Sequence, residues 1–259
     1  MFDNWKDHLL TFYQTFGTVK SHRTNGTVTR IDPIAVEGQI SFICDSTTIN
    51  EESLMIKLYG YELSGNSYKA KLMLSLLGLD YEWVKVDLLK GAHKQAEFLA
   101  LNPFGQVPVL VDGDTVLADA QAILVYLARQ YGGESWLPLE AEPMSRVVRW
   151  LSTTAGEVRQ GPESARLYHL FKVTSVDPER AAQKSEFILS QLNDRLAHLE
   201  WLELGHPTIA DVAVFPYVAL ARDGKIDLTH YPNVLTWIDR VKHLPGFVGM
   251  PGIEAPAAA

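Results

Sequence analysis

Apolar and polar positions follow two different rhythms along this chain, and the change from one to the other divides it. Trp5, Leu9, Phe12 and Phe16 recur at helical spacing, which predicts one short amphipathic helix. The stretch from Val19 to Asn50 is polar, threonine-rich and aperiodic, so it reads as loop or weak strand. From Met55 the pattern sharpens. Ile56 to Tyr59 reads as a buried strand, and Tyr68 to Leu77 as a helix with Tyr68, Leu72 and Leu76 on one face, stopped by Gly78. Tyr81 to Val86 is a second strand, and Lys94 to Ala100 a short helix closed by Asn102-Pro103. Val107 to Val111 and Thr115 to Leu117 read as strands joined at Asp112-Gly113-Asp114, a hairpin signal. Asp119 to Tyr131 is a helix with Ile123, Leu124 and Leu127 inward. The order βαβαββα predicts a small mixed sheet with helices against it.

Gly132-Gly133 together with Pro138 and Pro143 marks a linker, beyond which no strand signal competes with helical periodicity. Helices are predicted over residues 144–160, 178–204, 208–222 and 233–243. Thr208 and Asp211 have capping-box spacing and pin the start of the third. The expected organisation is an extension over 1–54, a sheet domain over 55–132, a linker over 133–143, an all-helical domain over 144–249 and a tail over 250–259. The extension reads as dispensable rather than as a docking segment, with Met55 as an alternative start.

Composition narrows the function classes. With 259 residues, 47% apolar and 21% charged, the chain can bury a substantial core and is not of disordered type. A formal charge of -8 argues against nucleic acid or an anionic membrane as the main partner. A single cysteine, Cys44, excludes an intrachain disulfide and the metal patterns built on paired cysteines. Dithiol exchange would also need a second thiol, so any redox sulfur must be borrowed. Neither a secretory signal nor an apolar run long enough to span a bilayer is recognisable, which makes the expectation cytoplasmic. His198, His206 and His230 have no metal-like spacing, so no metal is expected.

Two stretches carry candidate chemistry. In ELSGNSYKAK, Ser64 follows the first strand, and Asn66 and Ser67 sit where the next helix begins, so free N–H groups face whatever lies above the strand. A thiolate there would gain roughly 1.5 to 3 kcal/mol from a serine hydroxyl and about 0.3 to 1 from the helix end. An unperturbed thiol ionises near pH 8.5, and each unit of depression needs about 1.4 kcal/mol. One serine and one helix therefore suffice to ionise a bound thiol near neutrality. Taken alone, the residues also suit a plain helix cap. In LNPFGQVPVLVDGD, Pro108 sits at a strand edge; with a cis bond it would present the backbone of Val107 to an extended peptide, and with a trans bond it is a simple strand entry.

Together ELSGNSYK, GAHKQAEFLALNPFGQVPVLVDGD and ADAQAILVYLA resemble the thioredoxin-fold domain of the cytosolic glutathione transferases, nearest to phi-like and bacterial classes. TIADVAVFPYVAL and YPNVLTWIDRVKHLPGF resemble the helical domain of the same superfamily, so the likeness runs from about Met55 to about Gly249. The resemblance implies an α/β thioredoxin-like domain followed by an all-α domain, glutathione as co-substrate, and a homodimer. It implies that Ser64, or Asn66 as in some bacterial relatives, donates to the glutathione thiol. His93 and Lys94 match the pair that faces the glycine carboxylate, while Gln106 and Val107, beside Pro108, match the pair that holds the cysteinyl backbone. Asp119 matches the acidic residue, usually Glu, that receives the γ-glutamyl ammonium.

The implied reaction conjugates the glutathione thiolate to a hydrophobic electrophile, a detoxification chemistry. Its pocket lies between the domains, with Tyr61, Leu63, Arg166 and Tyr168 as candidate lining. Glutathione-dependent peroxide or disulfide reduction, and a non-catalytic binding or regulatory role, remain open beside it.

One departure has a direct cost. The family normally carries Ser after the acidic residue, where this chain has Ala120. The absent hydroxyl would bond the γ-glutamyl carboxylate, a charge-assisted bond of roughly 1.5 to 3 kcal/mol, or about ten- to a hundredfold in affinity. Ala120→Ser should tighten glutathione binding; unchanged or weaker affinity in titration calorimetry would count against this placement of the site.

Overall fold

The computed structural model describes residues 30–36, 39–45 and 55–256. Residues up to Leu54 and those from Met55 form separate units. In the first, β1 (Arg30–Val36) pairs antiparallel with β2 (Gln39–Asp45), in register from Arg30 opposite Asp45 to Val36 opposite Gln39. Strand thus forms inside the stretch read as loop or weak strand. The helix expected around Trp5 to Phe16 lies outside the described residues.

The second unit begins with β3 (Ile56–Gly60), whose Ile56, Leu58 and Gly60 face inward in strict alternation. Helix α1 (Gly65–Leu76) follows, three residues earlier than its apolar periodicity suggested, because Ser64 caps it. At its far end the N–H groups of Gly78 and Leu79 donate to Ser75 and Leu74, and Gly78 takes φ +65°, the left-handed closure that favours glycine. Next come β4 (Tyr81–Lys85), a 3₁₀ turn (Ala92–Lys94), α2 (Ala96–Leu101), the hairpin β5 (Val109–Asp112) and β6 (Thr115–Ala118), and α3 (Ala120–Leu127). The strands form one mixed sheet in the order β4-β3-β5-β6, with β3 parallel to β4 and antiparallel to β5. This is a thioredoxin-like sheet domain, and the remainder is helical.

The helical part departs from its expected boundaries in two places. Helix α4 (Ala141–Thr153) runs on through a wide π-type stretch (Thr154–Glu163) and a break at Gly161 into α5 (Ser164–His169), where a single helix over 144–160 was expected. Pro162 lacks the N–H that would continue the ladder. Gly161 is required because a Cβ there would lie 2.8 Å from the backbone nitrogen of Ser185. Helix α6 (Pro178–Leu196) stops well short of the predicted 204, the periodicity having continued into non-helical chain before Thr208. Helices α7 (Ile209–Ala219) and α8 (Pro232–Lys242) complete the order.

Every α7 residue from Ile209 to Val218 is buried, as a helix apolar on all sides must be. Its Phe215 lies 6.4 Å from Tyr68 of α1, 6.0 Å from Trp237 of α8 and 5.9 Å from Phe247, ring centre to ring centre. One apolar cluster therefore runs unbroken from the sheet residues Leu58 and Leu110 to Trp237. The sheet domain and the helices that follow it share one core.

Asp211 anchors α7. Its carboxylate accepts from the N–H of Thr208 at 3.0 Å, the N–H of Leu202 at 3.1 Å and the indole of Trp237 at 3.0 Å, while Thr208 completes the expected capping box. Removing that carboxylate strands three buried donors at about 1 to 3 kcal/mol each. Asp211→Ala should lower unfolding stability by about 3 kcal/mol or more, with Asp211→Asn intermediate; an unchanged urea midpoint for Asp211→Ala would refute this role for the carboxylate.

Candidate functional site

The site begins where β3 hands over to α1. The N–H of Ser64 donates to the carbonyl of Tyr61 at 2.9 Å, and the N–H of Tyr61 donates to the Ser67 hydroxyl at 3.3 Å, which fixes the turn. Ser64 Oγ accepts from the N–H of Ser67 at 3.2 Å. As cap it is an acceptor only, so its own hydrogen stays available to a ligand. Gly65 is needed here: a Cβ would lie 2.8 Å from the ring of Tyr217, so only glycine lets this turn approach α7.

Asn66 is held through both its side chain and its backbone. Its Oδ1 accepts from Lys69 Nζ at 2.8 Å, and its Nδ2 donates to Glu163 Oε1 at 3.4 Å. Its backbone N–H donates to the Tyr217 hydroxyl, which itself donates to Glu163. Lys69 is fully buried, 5.1 Å from the centre of the Tyr217 ring. Burial pulls its ammonium down to about 8, opposed by the charges of Glu163 and Asp119. Burial likewise raises the Glu163 carboxyl, against the charges of Lys69 and Arg159.

Two adjoining clefts open over this turn, of about 480 and 310 Å³, sharing Asn66, Gln106, Val107, Arg159 and Glu163. The larger takes in Ser64, Tyr61, Leu63, His93 and Lys94. Lys94 Nζ donates to the Gly105 carbonyl at 3.1 Å, and His93 is kept below the usual imidazole range by burial and by the Lys94 charge. Among the described residues His93 Nδ1 has no hydrogen-bond partner. The smaller cleft takes in Pro108, Asp119 and Ala120. The Val107-Pro108 bond is cis. Asn102, read from the sequence only as a helix end, is buried beneath this loop; its Nδ2 donates to the Gln106 carbonyl at 2.8 Å, and its Oδ1 accepts from the N–H of Phe104 at 3.1 Å.

Asp119 caps α3, its Oδ1 accepting from the N–H groups of Gln121 at 2.8 Å and Ala122 at 3.1 Å. Its backbone is held at φ +76°, a conformation that costs a non-glycine residue of order 1 to 3 kcal/mol and is found mainly at ligand sites.

On the helical side, Arg166 is buried and doubly tethered, Nε donating to Asp223 at 2.8 Å and Nη1 to the Leu63 carbonyl at 2.7 Å. The structure thus gathers all the sequence-predicted residues except Tyr168, which lies outside both clefts and meets the His169 ring edge-on at 5.0 Å. Reasoning from sequence missed Lys69, Glu163, Tyr217 and Arg159. Only Lys69 carried a signal, as a cation three positions before Leu72 on a helix whose inward face is otherwise apolar.

A thioredoxin-like sheet carrying a cis-proline loop, with a helical domain closing a cleft over the first helix start, defines a class. The chain belongs to the glutathione S-transferase family. Residues 54–129 match the family described as "Glutathione S-transferase, N-terminal domain". It is 35% identical to "Glutathione S-transferase 3" of Zea mays, over 74% of this chain and 91% of that one. It is 32% identical to the "Disulfide-bond oxidoreductase YfcG" of Escherichia coli (strain K12), over 74% and 92%. A crystal structure of a glutathione S-transferase from Pseudomonas fluorescens [Pf-5] superposes with a TM-score of 0.70 at 35% identity, covering 76% of this chain and 98% of that one.

The buried ammonium makes a prediction for pH. Folded, Lys69 releases its proton near pH 8, whereas the ordinary lysine value is 10.5. Between those values the unfolded chain binds more protons, so the contribution of Lys69 to stability rises with pH across that window. Lys69→Met should flatten the rise in urea midpoints measured from about pH 7.5 to 10; identical slopes in the native protein and variant would remove Lys69 as their source.

Proposed function

We propose that this chain is a glutathione transferase that binds glutathione as co-substrate and conjugates its sulfur to a hydrophobic electrophile. Residues 55–132 carry the tripeptide, and residues 144–249 shape the compartment for the second substrate. The observation that carries the reading is the state of Ser64, whose oxygen is occupied by the N–H of Ser67 and whose hydrogen is left to donate where the larger cleft meets the start of α1. A thiol placed there gives its proton to solvent, the hydroxyl and the helix end hold the thiolate, and the sulfur attacks an electrophilic carbon as the leaving group departs with its electron pair. His93 and Lys94 suit the glycine carboxylate, the backbone at Gln106 and Val107 suits the cysteinyl residue, and Asp119 suits the γ-glutamyl ammonium.

Tyr61, Leu63 and Arg166, with Leu167 and Phe171, give the second compartment its mixed lining. The reading extends to a cytoplasmic homodimer, for which Phe104, 78% exposed beside the cis-proline loop, supplies an apolar anchor.

A second reading is glutathione-dependent reduction of disulfides. It draws on the tight fixation of Asn66, which leaves one amide hydrogen for a sulfur ligand, and on the oxidoreductase among the relatives.

Ser64→Ala should cut turnover of an aryl halide more than tenfold, raise the apparent pKa of the bound thiol in a thiolate-absorbance titration, and leave ground-state affinity nearly intact. Asn66→Ala should do this only if Asn66 is the main donor. Retained turnover in Ser64→Ala, with turnover of a mixed disulfide lost in Asn66→Ala, would establish the second reading in place of the first.

A further inference from the structure

Among the described residues, Arg159 is a cation without a polar partner. It is exposed on the π-type stretch Thr154–Glu163, and among the described residues its guanidinium makes no hydrogen bond or ion pair; its charge reaches Lys69 and Glu163 only through space. It lines both clefts, and of the residues lining the smaller one it is the sole cation.

That smaller cleft is where, in the glutathione reading, an amino-acid end group must be received with its ammonium and its carboxylate together. Asp119 offers an anion for the ammonium. Ala120 offers the carboxylate no hydroxyl, only the backbone at the start of α3. Glu163 does not neutralise Arg159 by contact, because its polar bonds go to Asn66 and Tyr217. A zwitterion supplied with only one counter-charge would be poorly held once desolvated.

We propose that Arg159, reaching in from the helical domain, receives the γ-glutamyl carboxylate of glutathione and does the work of the missing hydroxyl at position 120. The inference rests on the glutathione reading above and deepens it: the sheet domain takes the ammonium and the helical domain the carboxylate of one end group. A guanidinium suits this task, because it can present two parallel N–H groups to the two carboxylate oxygens.

Titration calorimetry with two ligands tests it: glutathione, and cysteinylglycine, which keeps the thiol and the glycine carboxylate but lacks the γ-glutamyl group. Arg159→Gln should lose about tenfold or more in glutathione affinity and match the native protein with the dipeptide. Ala120→Ser should recover most of that loss in the Arg159→Gln background and gain less in the native background, because two groups serving one carboxylate are not additive. An exposed side chain can be changed without unfolding the chain, and unaltered thermal melting would verify this. Equal weakening with both ligands, no weakening, or a change confined to the KM of the electrophile would overturn the proposal. Native protein that binds the tripeptide no better than the dipeptide would overturn it too, while sparing the thiol site. Native protein that binds neither would defeat the glutathione reading as well.

Discussion

The close approach of α1 to α7 governs the rest of the second unit. Gly65 admits the Tyr217 ring, and the hydroxyl of that ring ties Asn66 to Glu163. Once the two helices are this near, Lys69 has no route to solvent. Its ammonium is stabilised by the Asn66 carbonyl, the Tyr217 face and the Glu163 carboxylate. A buried charge is tolerated only when it is so surrounded, and an incomplete set would be worse than an apolar replacement. The network therefore makes the orientation of one turn of the sheet domain depend on residues of the helical domain.

Continuity of the core has the same effect on a larger scale. Phe215 touches rings from α1 and α8, so displacing the helical domain would uncover apolar surface belonging to both architectures. The clefts lie over a seam that is packed below and open above. Such a seam holds polar side chains in fixed positions without a ligand, which lowers the entropy lost when a ligand arrives.

Local signals made most of the sheet domain legible in the sequence. Gly78 stops α1, Gly113 sits in the hairpin turn, and Thr208 with Asp211 sets the start of α7; each acts within a few residues of the element it bounds. The site residues of the sheet domain were legible for the same reason, since cap, cis-proline loop and short turn are all local motifs. What stayed hidden depends on distant chain. The Gly161 break answers to Ser185, and the role of Glu163 exists only because Asn66 and Tyr217 meet it. Apolar periodicity also overran the end of α6, because buried residues such as Trp201 and Leu202 continue past the last helical turn without continuing the helix. Tyr168 was misplaced by a related gap: its segment is helical and near the cleft, but sequence spacing does not say which way a short helix beyond a kink is turned.

That kink has a further consequence. Residues 164–171 contribute Arg166, Leu167 and Phe171 to the larger cleft, yet none of the eight belongs to the central apolar cluster. The break at Gly161 and Pro162 thus sets a segment that lines the larger cleft apart from the central apolar cluster. Substitutions at Leu167 or Phe171 can therefore reshape the cleft wall without opening the central apolar cluster, provided Arg166 stays tied to Asp223 and the Leu63 carbonyl.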